Sequence, residues 1–100
     1  MNALRDFVAE RDWAQFHTPE NLAKSISIEA AELLELFQWA EPSNVDDVRD
    51  ELADVLTYCL LMADRMGFDF EAIVREKLQK TEHKYPVEAS KGKSVKYDRL

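Results

Sequence analysis

Glycine and proline are scarce in this chain: its 100 residues include two of the first and three of the second. Sheets of short strands need tight turns, and tight turns draw on those residues. Their shortage leaves an all-α fold as the natural reading, in one domain spanning residues 1–100. Cysteine occurs once, as Cys59, which excludes an internal disulfide; inside an apolar helical run it reads as a small core residue. Basic charge is also short, with 13 Lys and Arg against 20 Asp and Glu and a net charge of −7. That balance disfavours a nucleic-acid polymer, whose phosphates need a basic surface. It leaves room for a small phosphorylated ligand, because a bound cation reverses the local sign. No apolar run approaches the roughly 20 residues of a membrane span, and no secretory leader is recognisable, so a cytoplasmic location is expected. What is present, 46% hydrophobic and 33% charged residues, suits a globular protein rather than a disordered one. So short a chain builds a modest core, which makes oligomerisation attractive.

Helix signals divide the chain into four long segments. The first helix is expected over 3–15, with Leu4, Phe7, Val8 and Trp13 turned inward. Thr18-Pro19-Glu20 is a start signal, with Thr as N-cap, Pro at the first helical position and Glu in the first turn. That second helix is expected to run to about Ala40. Pro42 breaks it, and Ser43 or Asn44 caps a third helix over about 45–66, where Asp46 and Asp47 suit the positive end of the macrodipole. Gly67 is a C′ residue, and Asp69 caps a fourth helix over about 70–84. Residues 87–100 form a basic tail with Lys91, Lys93, Lys96 and Arg99, expected to be mobile.

Two carboxylate pairs stand out against this background. Glu29 and Glu32 sit in the second helix, and Glu51 and Asp54 in the third, each pair spaced i, i+3 inside an apolar run. On a helix such residues are neighbours on one face, about 5 Å apart along the axis. Leu22, Ile26, Leu33 and Leu36 share the first pair's face and turn it inward, while Asp47, Tyr58 and Met62 fall with the second pair. Glu35 and Asp50 point elsewhere, toward solvent. Burying four carboxylates without partners is very costly, and a hard divalent cation with oxygen ligands removes the cost. Carboxylate sites in bundle cores are a known arrangement. The di-iron version adds Glu-x-x-His, yet neither His17 nor His83 follows a Glu by three. All-oxygen ligation favours Mg²⁺ or Mn²⁺ over zinc or iron.

Other side chains are candidates for a ligand pocket. Extending the helix places Trp39 on the side of Glu32, about 10 Å further along the axis, close to the span from a nucleobase to its phosphates. An aromatic plane there can stack a base, and Trp13 can supply the opposing plane, although core packing is the commoner role for tryptophan. Tyr58, one turn beyond Asp54, either orients a ligand oxygen or fills the core. His17 precedes the second helix in a loop, and the tail lysines either stay solvated or neutralise a triphosphate.

Together these segments resemble a family. Glu29-x-x-Glu32, an 18-residue gap and Glu51-x-x-Asp54 are similar to the MazG-like all-α nucleoside triphosphate pyrophosphohydrolases, and to their dCTP-pyrophosphatase-like branch in particular. Glu10-Arg11-Asp12-Trp13, Leu36-Phe37-Gln38-Trp39 and Lys84-Tyr85-Pro86-Val87 extend the likeness over nearly the whole chain. The resemblance implies a four-helix MazG-like bundle, homotetrameric as a dimer of dimers with sites at subunit interfaces. It implies Mg²⁺-dependent cleavage of a nucleoside triphosphate to monophosphate and pyrophosphate, as nucleotide-pool house-cleaning. Glu29, Glu32, Glu51 and Asp54 become metal ligands, with Glu29 or Glu32 as the general base. Trp13 and Trp39 become walls of the base pocket, and His17, Tyr58, Lys77, Tyr85, Lys93 and Lys96 further substrate contacts. Two positions depart from the pattern: Thr81 stands where the family often has Asn, and Leu4 where animal dCTP-preferring members carry His. The rival readings are a phosphoribosyl-ATP pyrophosphohydrolase and a non-enzymatic helical interaction module.

Overall fold

The computed structural model describes residues 1–41 and 44–100, all helix, turn and loop with no strand among them. Among the described residues five α-helices follow one another: α1 (Asn2–Glu10), α2 (Pro19–Glu35), α3 (Val45–Met66), α4 (Phe70–Lys84) and the short α5 (Val87–Ser90), with 3₁₀ turns at Ala14–Phe16 and Tyr97–Arg99. Met1–Phe68 and Asp69–Leu100 form two compact units.

Local chemistry sets most of the boundaries. The Thr18 side chain accepts from the Asn21 amide at 3.2 Å and opens α2. Asn44 accepts from the Asp46 amide at 2.9 Å and opens α3; Pro42 and the alternative cap Ser43 lie outside the described residues. Asp69 accepts from the Ala72 amide at 2.9 Å and opens α4. Each side chain satisfies a donor that the first helical turn leaves unpaired. Gly67 closes α3 in the left-handed region, at φ 73°, where a Cβ would be strained.

Two helices end earlier than their sequence pattern predicts. α1 stops at Glu10 rather than at 15, because Asp12 takes a left-handed backbone with φ 53° and the Trp13 amide folds back onto the Val8 carbonyl at 3.1 Å. The expected inward position of Trp13 is lost with that turn: its ring packs edge-on against Phe7, with centroids 5.5 Å apart, and both rings stay exposed. α2 stops at Glu35 rather than near Ala40. Beyond it the amides of Leu36, Phe37 and Gln38 reach back only three residues, to Leu33, Leu34 and Glu35, so the α-helical ladder has tightened and ended.

In the first unit α2 and α3 are the central pair. Leu22 meets Leu61 in the core cluster, and Glu29, seven residues further along α2, meets Asp54, seven residues earlier on α3, so the two helices run antiparallel. Val8 of α1 completes the buried cluster, with Leu4, Tyr58 and Met62 packed around it. In the second unit the tail is tied to the end of α4. The Tyr85 hydroxyl accepts from the Tyr97 amide at 3.1 Å, the two rings meet edge to face, and Lys84 lies 4.8 Å from the centre of the Tyr97 ring.

Candidate metal centre

Along the inner side of α2, Leu22, Ser25, Ile26, Glu29 and Leu33 are the buried and half-buried positions, with Leu36 half-buried just past its end. Glu29 is therefore carried to the α3 side by the same periodicity that buries the leucines. On α3, Glu51 and Asp54 occupy one face, half-buried and exposed respectively. One carboxylate oxygen from each of Glu29, Glu51 and Asp54 lies within 4.8 Å of the other two.

Two of these oxygens are orphans. Glu29 Oε2 and Glu51 Oε2 are buried and have no hydrogen-bond partner. Buried acceptors are almost always paired, so an unpaired one requires a physical cause. Glu32 stands beside the trio without belonging to it, close enough to act on both Glu29 and Glu51. The Glu29 carboxyl is raised above the ordinary carboxylate range, first because it shares a hydrogen bond with Glu32, then by burial and by the charges of Glu32, Asp54 and Glu51. Glu51 is raised too, first by burial and then by the negative charges of Glu32 and Asp54. Crowded carboxylates that favour protonation and keep buried oxygens unpaired form a donor set suited to a hard divalent cation.

A cleft of about 300 Å³ opens beside the carboxylates. Glu29 and Asp54 form its acidic edge; Trp13, Phe7 and Leu4 give an aromatic and apolar wall; His17, Thr57 and Tyr58 supply its remaining polar atoms. Trp13, His17, Tyr58, Glu29 and Asp54 are thus brought to one place. Trp39 is not: it lies beyond the end of α2, 89% exposed and outside the cleft. Lys77 is exposed on α4, Lys93 and Lys96 are exposed in the tail, and the Tyr85 hydroxyl is engaged by Tyr97.

Leu4, Phe7 and Thr57 line the cleft without having been singled out as site residues. Thr57 carries a legible signal, since it follows Asp54 by three and so faces the same way on α3. Leu4 carries one only through the resemblance, as the position where animal dCTP-preferring members have His; Phe7 carries none, because an apolar stripe reads the same whether it faces a core or a cleft.

Comparisons with known proteins agree with this architecture. The MazG-like family model matches residues 24–100. The chain is 38% identical to dCTP pyrophosphatase 1 of Rattus norvegicus and 36% identical to that of Homo sapiens, each over 105 residues. Those alignments cover 95% of this chain and 62% of each relative, so the chain spans less than two thirds of the curated relatives' length. Among solved structures, a pyrophosphatase from Archaeoglobus fulgidus DSM 4304 superposes with a TM-score of 0.80 at 44% identity, covering 85% of this chain and 87% of that one. The chain belongs to the MazG-like family.

Proposed function

We propose that this protein is a Mg²⁺-dependent nucleoside triphosphate pyrophosphohydrolase. Its substrates are deoxynucleoside triphosphates, dCTP among the better ones, cleaved to the monophosphate and pyrophosphate to keep the nucleotide pool clean. The observation that carries this reading is the meeting of unpaired buried carboxylate oxygens with a cleft walled by aromatic side chains. The names of its relatives, dCTP pyrophosphatase 1 and a pyrophosphatase, support it.

Glu29, Glu51 and Asp54, together with Glu32 beside them, would hold the cation. Their all-oxygen donor set fits Mg²⁺, with Mn²⁺ as the alternative. When bound, the cation supplies Lewis acidity and offsets phosphate charge. Glu32, beside the trio rather than in it, is our choice of general base over Glu29: it takes a proton from the water that attacks the α-phosphorus, the α–β anhydride bond breaks, and pyrophosphate leaves. Trp13 stacks the base, and Trp39 is assigned to the same ligand on its exposure and its aromatic plane. His17 and Tyr58 orient ligand atoms within the cleft. Lys77, Tyr85, Lys93 and Lys96 remain the side chains assigned to the phosphates, and individual substitutions test each of them.

A homo-oligomer, taken as a tetramer, belongs to the same reading. Ile28, Leu34 and Phe37, together with Leu52 and Leu56 of α3, are all exposed, more apolar surface than a lone copy is expected to leave in water. The activity is tested by following pyrophosphate release with Mg²⁺ over a nucleotide panel. Monophosphate and pyrophosphate from dCTP are expected; orthophosphate with a diphosphate, or no turnover of any nucleotide, would contradict the reading.

A further inference from the structure

α1 forms one wall of the cleft, through Leu4, Phe7 and Val8, yet little holds it in place. At nine residues it is too short to persist alone in water. Its buried residue is Val8, with Leu4 half-buried beside it. A second cavity, of about 220 Å³, is bordered by Arg5, Ala9, Asp64 and Arg65. Val8, His17 and Leu61 border both cavities. α1 therefore contributes to the lining of both cavities.

One ion pair joins α1 to α3 among the described residues. Arg5 donates to the same oxygen of Asp64 twice, from Nε at 3.0 Å and from Nη2 at 2.6 Å. Its Nη1 donates to Asn2 Oδ1 at 3.1 Å, which steadies the guanidinium from its own helix. The Asp64 side chain is about one-third exposed, at 32%. An exposed ion pair ordinarily contributes little to global stability. Two donors of one rigid guanidinium converging on a single oxygen constrain direction as well as distance.

We propose that Arg5 and Asp64 are positioning residues for the cleft: a clasp that holds α1 against α3 and so sets the width available to the ligand. The kinetic part of the test rests on the pyrophosphohydrolase reading; the structural part does not.

The test uses the full chain as wild type, Arg5→Glu, Asp64→Arg and the double charge swap. For the best nucleotide on the panel, each single variant should raise KM about threefold to fivefold with kcat kept within about twofold. Amide exchange over residues 6–10 should quicken in both. The double swap restores the pair and should recover at least half of each change, which a loss of general structure would not. Single variants with wild-type KM and wild-type α1 exchange would overturn the clasp, as would a double variant no better than its parents. If wild type turns over no nucleotide, the activity reading fails and exchange alone decides: unchanged α1 exchange in Arg5→Glu overturns the proposal, and faster exchange rescued by the swap supports it. Should Asp64→Arg fail to fold, Arg5→Lys keeps the charge and loses the converging donors; it should speed α1 exchange, and no change there would overturn the clasp.

Discussion

The two halves of the α2–α3 seam are built on one register and do opposite things. Leu22, 1% exposed, packs against Leu61 and Val8. Two turns along the same face, Glu29 meets Glu51 and Asp54 with buried oxygens left unpaired. The first end removes apolar surface from water and stabilises the fold. The second concentrates like charge at an interface and destabilises it unless a cation or a proton arrives. A helix pair held at one end tolerates an unfavourable arrangement at the other, and the unfavourable end is where chemistry is available.

Glu51→Gln attacks the acidic end alone. It should lower nucleotide turnover by at least about a hundredfold, since the loss of even outer-shell support at metal sites costs 10–100-fold. Steady-state rates with saturating Mg²⁺ check this, and near-wild-type turnover would remove Glu51 from the centre.

Leu22→Ala attacks the apolar end. The side chain is fully buried, so the substitution should cost about 3 kcal/mol of stability through lost transfer energy and the cavity left behind. Denaturant melts should show nearly the same loss with Mg²⁺ and with chelator. A loss confined to one condition would mean the two ends are not separable.

Trp39→Ala sharpens the contrast between fold and ligand. With the side chain 89% exposed, stability should barely change. Nucleotide binding should weaken by roughly 1–3 kcal/mol while tripolyphosphate binds as before. Equal losses for both ligands, or unfolding, would make Trp39 a structural residue.

The smallest effect is on pH. Glu29 and Glu51 have folded-state values above the ordinary carboxylate range. Their contribution to stability is therefore fully present below that range and is lost as pH rises through the raised values. Asp64 runs the other way: Arg5 holds it below the ordinary range, so its contribution is lost only as pH falls through that depressed value. Metal-free protein should gain Tm on acidification from neutral toward the ordinary carboxylate range and lose it again in stronger acid. Mg²⁺ competes with the protons and should flatten the gain; a metal-free Tm that falls steadily from neutral would refute the crowding of the carboxylates.

These contrasts also mark how far the sequence could be read. The starts of α2, α3 and α4 were legible because Thr18, Asn44 and Asp69 act on amides two or three residues away. The inward face of Glu29 was legible because helical period fixes angle. Distance between helices is not fixed by period, so how closely Glu29 meets Glu51 and Asp54 could not be read from the sequence. The ends of α1 and α2 were missed because neither carries a glycine or proline at the break; Asp12 turns left-handed on its own, and α2 tightens into three-residue turns after Glu35 and ends. Trp39 was expected on the side of Glu32, about 10 Å further along the axis, by extrapolating a helix that stops four residues short of it.

Melting curves of wild type and Glu51→Gln, each with Mg²⁺ and with chelator, test the central claim most directly. The cation should raise the wild-type Tm in a concentration-dependent way, because it binds the folded state preferentially. Glu51→Gln should show a reduced shift and, with chelator, a Tm at or above that of wild type, since one of the crowded charges is gone. A variant that loses stability equally in both conditions would contradict the account and make Glu51 a structural residue.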